Sequence, residues 1–395
     1  MNYILFDDNS RVNLLPLTFT RPVAEIRIGI LTIREKWEKY LNASVSFKTE
    51  EYLSKKFALK ILASKENMWI NGSVCPSKNM LKEIKALKPK YQLVSDNRII
   101  AYNSGKENVD IKIVAETFTK IDSNAQLFKV ENLWDIFSKN GKAIEEDFEL
   151  ITKGRKSQKL SKTNQVIGAK SIFVEKGAKV ECTILNASVG RIYIGKDAEI
   201  MEGSIVRGPF ALCEYSVLKL GAKIYGPTTI GPHSKVGGEV NNSVIFGYSN
   251  KAHDGFLGNS VLGEWCNIGA DSNNSNLKNN YTEVKLWNYS SERLVNTGLT
   301  FCGLIMGDHS KCGINTMFNT GTVVGLSANV FGSGFPQSFV PSFSWGGAQG
   351  FTTYKLSKAF ETASKVYERR SMKFDEIEKE ILAKVFELTE KYRKT

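Results

Sequence analysis

From Ile194 to Val236 an aliphatic residue recurs at every sixth position: Ile194, Ile200, Val206, Leu212, Leu218, Ile224, Ile230 and Val236. A helix turns about 100° per residue, so six residues carry a side chain to the opposite face. One strand would keep these residues on one face, but a strand of about forty residues lies far outside ordinary lengths. The spacing therefore predicts a solenoid of short strands joined by turns, with one aliphatic side chain per strand pointing into a shared stack. Four residues after successive aliphatics stand Ala198, Ser204, Phe210, Ser216, Ala222, Thr228 and Ser234. All but Phe210 are small, which suits a tight corner.

The pattern resembles the hexapeptide repeat of left-handed parallel β-helices, typical of acyltransferases that use acetyl-CoA. The left hand is implied by that resemblance, because general crossover chirality favours the right. The repeat begins near Val166, with Ile167-Gly168, Val174 and Val180, and is disturbed after Val236. It resumes through Leu257, Leu262 and Ile268 and returns at Met306, Cys312, Phe318, Val324 and Val330. Residues 272–300, with several Asn and Ser plus Trp287 and Arg293, read as a loop thrown out from one coil, where function on a solenoid tends to sit. From Leu356 to Tyr392 apolar residues recur at helical or near-heptad spacing, interrupted by Arg370 and Lys384. That tail either packs on the solenoid or exchanges contacts within an oligomer.

Ahead of the repeat, Tyr3 to Phe6 reads as a buried strand running into the acidic turn Asp7-Asp8-Asn9-Ser10, and a helix is expected from Gly29 to Leu41. Residues 99–136 mix short apolar runs with a helix and place no chemistry. Residues 145–163 are polar and lysine-rich and read as a linker. The expected organisation is α/β plus all-β: a reduced Rossmann-like domain over 1–150, a linker over 151–165, a parallel β-helix over 166–350 and a helical tail over 351–395. A chain of 395 residues with 42% hydrophobic content can build such cores. The net charge of +12 suggests an anionic partner. The basic residues are scattered without a reading motif, which favours sugar phosphates and coenzyme A over nucleic acid. Six cysteines without a CxxC argue for reduced thiols rather than a disulfide framework or a cysteine metal site. The start lacks a basic, apolar leader and no run approaches eighteen apolar residues, so a cytoplasmic protein with no membrane segment is expected.

Pro16-Leu17-Thr18, Pro22 and the later Gly29-Ile30-Leu31 resemble the opening of sugar-1-phosphate nucleotidyltransferases. That family cradles its triphosphate on a Gly-rich loop ending in Arg, where backbone N–H groups and cations offset the charge. Here the equivalent turn has no glycine and carries Asp7 and Asp8; Arg11 is displaced by two residues, and Val23 stands where the family has lysine. Asn71-Gly72 is followed by Ser73 rather than the family's metal-binding aspartate. The resemblance implies a nucleotidyltransferase-like fold that has lost the reaction. The other reading is a diverged enzyme using Arg11, Arg21 and Arg27 for phosphate, with Asp7 or Asp8 holding Mg²⁺.

The chain has three histidines, His233, His253 and His309. An amine attacking a thioester must lose a proton, and imidazole has the unperturbed pKa nearest neutrality. His253 lies in Asn250-Lys251-Ala252-His253-Asp254-Gly255-Phe256-Leu257-Gly258, followed by Cys266-Asn267-Ile268-Gly269-Ala270 and Ser275-Asn276-Leu277. This series resembles the acetyltransferase half of the bifunctional N-acetylglucosamine-1-phosphate uridyltransferase / glucosamine-1-phosphate acetyltransferase family, with the same gaps of fourteen and nine residues from His253 to Asn267 to Asn276. The stretch through Gly307-Asp308 and Cys312-Gly313-Ile314-Asn315 also resembles archaeal-type dual-function relatives.

The resemblance implies His253 as general base, Asn267 on the amino sugar, Asn276 near the acetyl group, acetyl-CoA as donor and a homotrimer with sites between solenoids. Phe256 replaces a substrate-contacting tyrosine, Glu239 to Asn242 lacks the family's lysine, and the coil with its phosphate-binding arginine is absent. Lys251, Lys278, Lys285 and Arg293 are then the cations expected to meet a sugar phosphate. His233 and His309 read as structural, although His309 could reach coenzyme A. The expected activity is acetyl-CoA-dependent N-acetylation of an amino sugar, a 1-phosphate above all, with no metal. The alternative is a sugar-1-phosphate uridylyl- or thymidylyltransferase whose solenoid serves as an oligomerisation scaffold, and a third is a non-catalytic sugar-nucleotide sensor.

Overall fold

The structure, a computed structural model, describes residues 1–393. The chain forms two compact units. The first comprises Met1–Leu14, Thr20–Ile26 and Leu31–Asn132; the second takes Leu15–Phe19, Arg27–Ile30 and the chain from Leu133 onward.

The first unit is built on a six-stranded sheet in the order Ser46–Lys48, Asn2–Phe6, Asn67–Asn71, Arg98–Asn103, Tyr91–Ser95, Thr119–Asp122. Arg98–Asn103 runs antiparallel to both its neighbours and the other pairings are parallel. The central strand Asn67–Asn71 is buried along its whole length, and Trp69 stacks on Tyr102 with centroids 5.4 Å apart. The helix expected from Gly29 begins at Ile33 instead and runs to Leu41. Thr32 accepts from the Glu35 backbone N–H while the Glu35 carboxylate takes the Thr32 N–H, a reciprocal cap that fixes the start.

The second unit is a parallel β-helix. Its strands stack in three faces, of which the second holds nine strands from Ile172–Val174 to Phe339–Val340. The sixfold series deals its residues to these faces in rotation: Ile194, Leu212 and Ile230 line the second, Ile200, Leu218 and Val236 the third, Val206 and Ile224 the first. All lie in one continuous buried core, where each aliphatic side chain contributes about 1.5–3 kcal/mol of burial. The small residues between them are also buried and cap the corners, Ser216 Oγ donating to the Gly231 carbonyl at 2.7 Å.

Residues 145–152, read from the sequence as linker, are the second half of the helix Asn140–Thr152. The segment after it runs along the first coil, where Gln158 N–H donates to the Val174 carbonyl and Asn164 Nδ2 to that of Val180. The excursion is narrower than 272–300, because Asn273–Asn274 stays in the coil and pairs with Met317–Phe318. It carries an antiparallel hairpin, Lys285–Asn288 with Arg293–Asn296. The tail is two helices, Leu356–Glu368 and Glu376–Leu388, rather than one periodic run. Ser371 adopts a left-handed conformation between them and Asp375 caps the second on the Glu378 N–H. Along one corner Tyr215, His233, Tyr248 and Trp265, all left-handed, stack ring on ring at 4.3–4.9 Å between centroids. Among the described residues no helix is long and apolar enough to cross a membrane.

Candidate functional site

His253 stands on the corner between the third-face strand Asn250–Lys251 and the first-face strand Phe256–Gly258. It is exposed, and its imidazole makes no hydrogen bond among the described residues. The corner beneath it is rigid because glycines admit backbone against backbone. A Cβ on Gly238 would meet the His253 carbonyl oxygen at 2.8 Å, and one on Gly255 the Ser272 carbonyl oxygen at 2.2 Å. Asn267 lies on the third face, bridged to Asn250 on one side and Lys311 on the other, with its side chain in solvent. Its outward row is Lys235, Asn250, Asn267, Lys311.

Phe256 and Asn276 meet over Gly258, where a Cβ would come within 2.4 Å of Phe256 Cζ and 2.7 Å of Asn276 Nδ2. Asn276 Nδ2 donates to Asn259 Oδ1 at 2.7 Å, and Phe256 N–H donates to Asn273 Oδ1. His253 thus precedes the first-face strand Phe256–Gly258, and Asn276 lies beside the far end of that strand. The register adds residues that the sequence reading missed. Glu239 is paired with Phe256, and Asn241 with Gly258, on the same outer face, and the Tyr225 hydroxyl bonds Glu239. Counting outward positions from the buried column would have found them.

The four expected phosphate cations are not a cluster. Lys251 is 2% exposed, at an inward position where Val236 stands one coil earlier. Its Nζ donates to the backbone carbonyls of Gly237 and His253, at 3.0 and 2.7 Å, so it is not a substrate-facing cation. Burial pushes its pKa down to about 8, against the pull of Asp254. Lys278 is half-buried, its Nζ on the Glu283 carbonyl. Lys285 and Arg293 are exposed on the hairpin, but Arg293 pairs across from Asn288 and Lys285 from Asn296, which puts their side chains on opposite faces. His233 and His309 are spent in ring stacks, His309 beside Trp265 and Tyr367.

The first unit holds a cleft of about 770 Å³ lined by Asp7, Asp8, Arg11, Asn71, Arg98 and Lys129 among others. Arg11 pairs with Asp7 at 2.9 Å, and Asp7 also accepts from Thr49 Oγ1 and the Val23 N–H. Burial nevertheless raises the Asp7 pKa above the ordinary carboxylate value, outweighing Arg11. Asp8 accepts from Asn71 Nδ2 at 2.9 Å, Lys129 Nζ at 2.8 Å and Ser10. Burial pushes its carboxyl up, but these donors outweigh it and hold the pKa below the ordinary value. Both carboxylates are therefore satisfied by the chain itself, and the pair does not fit the open oxygen set that Mg²⁺ takes. Arg21 and Arg27 do not join Arg11 there. Arg21 is buried and gives Arg11 its carbonyl, and Arg27, in the second unit, bonds the Ile30 carbonyl. Asn71 and Lys129 complete the cleft; nothing in the sequence marks Lys129, which is brought in from a distant segment.

Residues 3–156 match the family model described as "Sugar nucleotidyl transferase". Over that stretch the chain is similar to this family. In this chain the matched stretch is followed by the β-helix. A bifunctional sugar-1-phosphate nucleotidylyltransferase/acetyltransferase of Sulfurisphaera tokodaii is 31% identical over 144 residues, 36% of this chain and 35% of that protein. The bifunctional protein GlmU of Alkaliphilus metalliredigens is 27% identical over 283 residues, 59% of each chain. The aligned stretches thus span less than two thirds of these relatives. Among solved structures, the N-acyltransferase AntD from Bacillus cereus, in complex with dTDP and 3-hydroxybutyryl-CoA, superposes with a TM-score of 0.22 at 14% identity, covering 53% of this chain and 91% of its own. The UDP-N-acetylglucosamine acyltransferase LpxA of Bacteroides fragilis gives 0.24 at 12%, covering 57% and 96%.

Proposed function

We propose that the chain is an N-acyltransferase that moves an acetyl group from acetyl-CoA to an amino sugar, foremost a sugar 1-phosphate, in sugar-nucleotide biosynthesis. The observation that carries this reading is the His253 corner: an exposed imidazole, its ring nitrogens open to a substrate, on a coil fixed by close glycine packing. The name of the Sulfurisphaera tokodaii relative, which includes acetyltransferase, supports the same chemistry. The sugar nitrogen attacks the thioester carbonyl carbon while His253 takes its proton. The oxyanion is met by backbone N–H groups, the C–S bond breaks, and the proton passes to the departing coenzyme A sulfur.

We propose a homotrimer with its sites between solenoids, as the resemblance of the His253, Asn267 and Asn276 series implies. Asn267, beside the exposed Lys235 row, and Phe256, beside Glu239, would contact the sugar. Release of free thiol from acetyl-CoA across a panel of amino-sugar 1-phosphates tests the reading. Turnover on an amino sugar supports it, and thiol release with none of the panel overturns it.

A second reading has its own observation, the family match of residues 3–156 together with the cleft that carries Arg98, Asn71 and Lys129. It is transfer of a nucleotidyl group to a sugar 1-phosphate with release of pyrophosphate. The neutralised Asp7 and Asp8 give it no metal site of their own, so pyrophosphate measured in parallel with thiol decides whether the domain retains the reaction.

A further inference from the structure

The third face of the β-helix presents an inward column of Val180, Ile200, Leu218, Val236, Lys251 and, across the Asn250–Asn267 bridge, Ile268. Lys251 is the charged member of that apolar series. An ammonium at such a position is costly unless its donors are used. Two of its three are, and both go to corner carbonyls: Gly237 on one coil at 3.0 Å and His253 on the next at 2.7 Å. The same two corners touch through glycine. A Cβ on Gly237 would lie 2.6 Å from the Ala252 carbonyl oxygen, and one on Gly238 would lie 2.8 Å from that of His253.

We propose that Lys251 is a positioning residue for His253: from inside the solenoid its ammonium clamps the His253 carbonyl to the Gly237 corner and so sets where the imidazole stands on the outer surface. The inference rests on the reading of His253 as the general base for its catalytic consequence, but not for the clamp itself. The glycine contacts set how closely the two coils approach, and the ammonium adds a bond that sets the direction of the His253 carbonyl. A base displaced by about 1 Å loses on the order of a hundredfold in rate.

The clamp depends on a proton. Burial lowers the Lys251 pKa to about 8; Asp254, Cys312 and Asp271 are the titratable groups that bear on it and pull the other way, while its other neighbours are uncharged, the apolar Phe256, Leu257, Ile268, Leu304 and Phe318 and the polar Ser272, Asn273 and Asn274. An amine that has lost its proton still has two N–H donors, but neither bond is charge-assisted any longer.

The test uses the full chain, wild type against Lys251→Met, which keeps the stem and volume and removes the donors. Folding is checked by thermal melting; a buried ammonium replaced by a well-packed apolar side chain is neutral or stabilising in many proteins. With acetyl-CoA and an accepted amino-sugar 1-phosphate, kcat should fall about 10- to 100-fold with little change in KM for acetyl-CoA. The alkaline fall in wild-type turnover near pH 8 should vanish in the variant. Independently of turnover, the His253 backbone amide followed by NMR should shift with a midpoint near pH 8 in the wild type and show no such step in Lys251→Met. Wild-type kcat and an unaltered pH profile in a folded Lys251→Met would overturn the positioning role. A His253 amide without the step near pH 8 in the wild type would overturn the clamp, whether or not Lys251→Met folds. If His253→Ala retains full turnover while the amide step is present, the general-base reading fails and the clamp stands.

Discussion

Tyr367, on the helix Leu356–Glu368, stacks on Trp265 of the β-helix corner with ring centroids 4.1 Å apart and planes inclined by 23°. Both rings are nearly fully buried, and the pair extends the ladder that begins at Tyr215. The tail is thereby fastened to the coil that carries Asn267. Tyr367→Ala should cost about 3 kcal/mol, in the range of large aromatic-to-alanine changes in cores. Thermal melting should show the loss, and hydrogen exchange should localise it to the two terminal helices. Unchanged protection there would mean that the stack does not hold the tail.

Gly29 has φ 78°, and a Cβ on it would lie 2.5 Å from Asp147 Oδ2 and 2.8 Å from the Ala143 backbone. Its N–H donates to Asn140 Oδ1, its carbonyl accepts from Thr229 Oγ1, and the next N–H, of Ile30, donates to Asp147. Gly29→Ala meets both a strained backbone and a clash. It should destabilise by about 2 kcal/mol or more, against about 1 kcal/mol for Gly154→Ala, whose φ of 75° opens onto free space. Equal losses in a denaturant titration of the two variants would refute the clash.

Asp8 is held below the ordinary carboxylate pKa of 3.8 by Asn71, Lys129 and Ser10 against the opposing effect of burial. A depressed pKa means that its stabilisation is complete above the unfolded value and is lost as pH falls through the folded one. Lys129→Met should therefore cost about 1–3 kcal/mol at pH 7, with the gap to wild type narrowing below about pH 4. A gap independent of pH, measured by denaturant unfolding from pH 7 to 3, would show that the Asp8–Lys129 pair is not its origin.

The β-helix was legible because one side chain per strand at a fixed period leaves no other packing solution. Ile194, Ile200 and Val206 already name the three faces. Lys251 was misread because the coil from Val236 to Lys251 is fifteen residues rather than eighteen, so the sixfold count slips and its inward direction cannot be taken from spacing. The helix start at Ile33 was available in Thr32-Ile33-Arg34-Glu35, a capping pattern that the apolar spacing obscured. The two helices of the tail were hidden by a near-heptad series that runs through their break. Arg27 and Gly29 could not be placed locally, since the chain enters the second unit twice before residue 31 and they bond Cys213 and Asn140, more than a hundred residues away.

The central claim is that His253 serves as the base of an acyl transfer. Coenzyme A thiol release, followed with acetyl-CoA and an amino-sugar 1-phosphate that the wild type accepts, tests it on wild type and His253→Ala side by side. In the variant kcat should fall about 10²- to 10⁴-fold while the melting temperature is unchanged, as befits an exposed side chain. Turnover at the wild-type rate in a folded His253→Ala would contradict it.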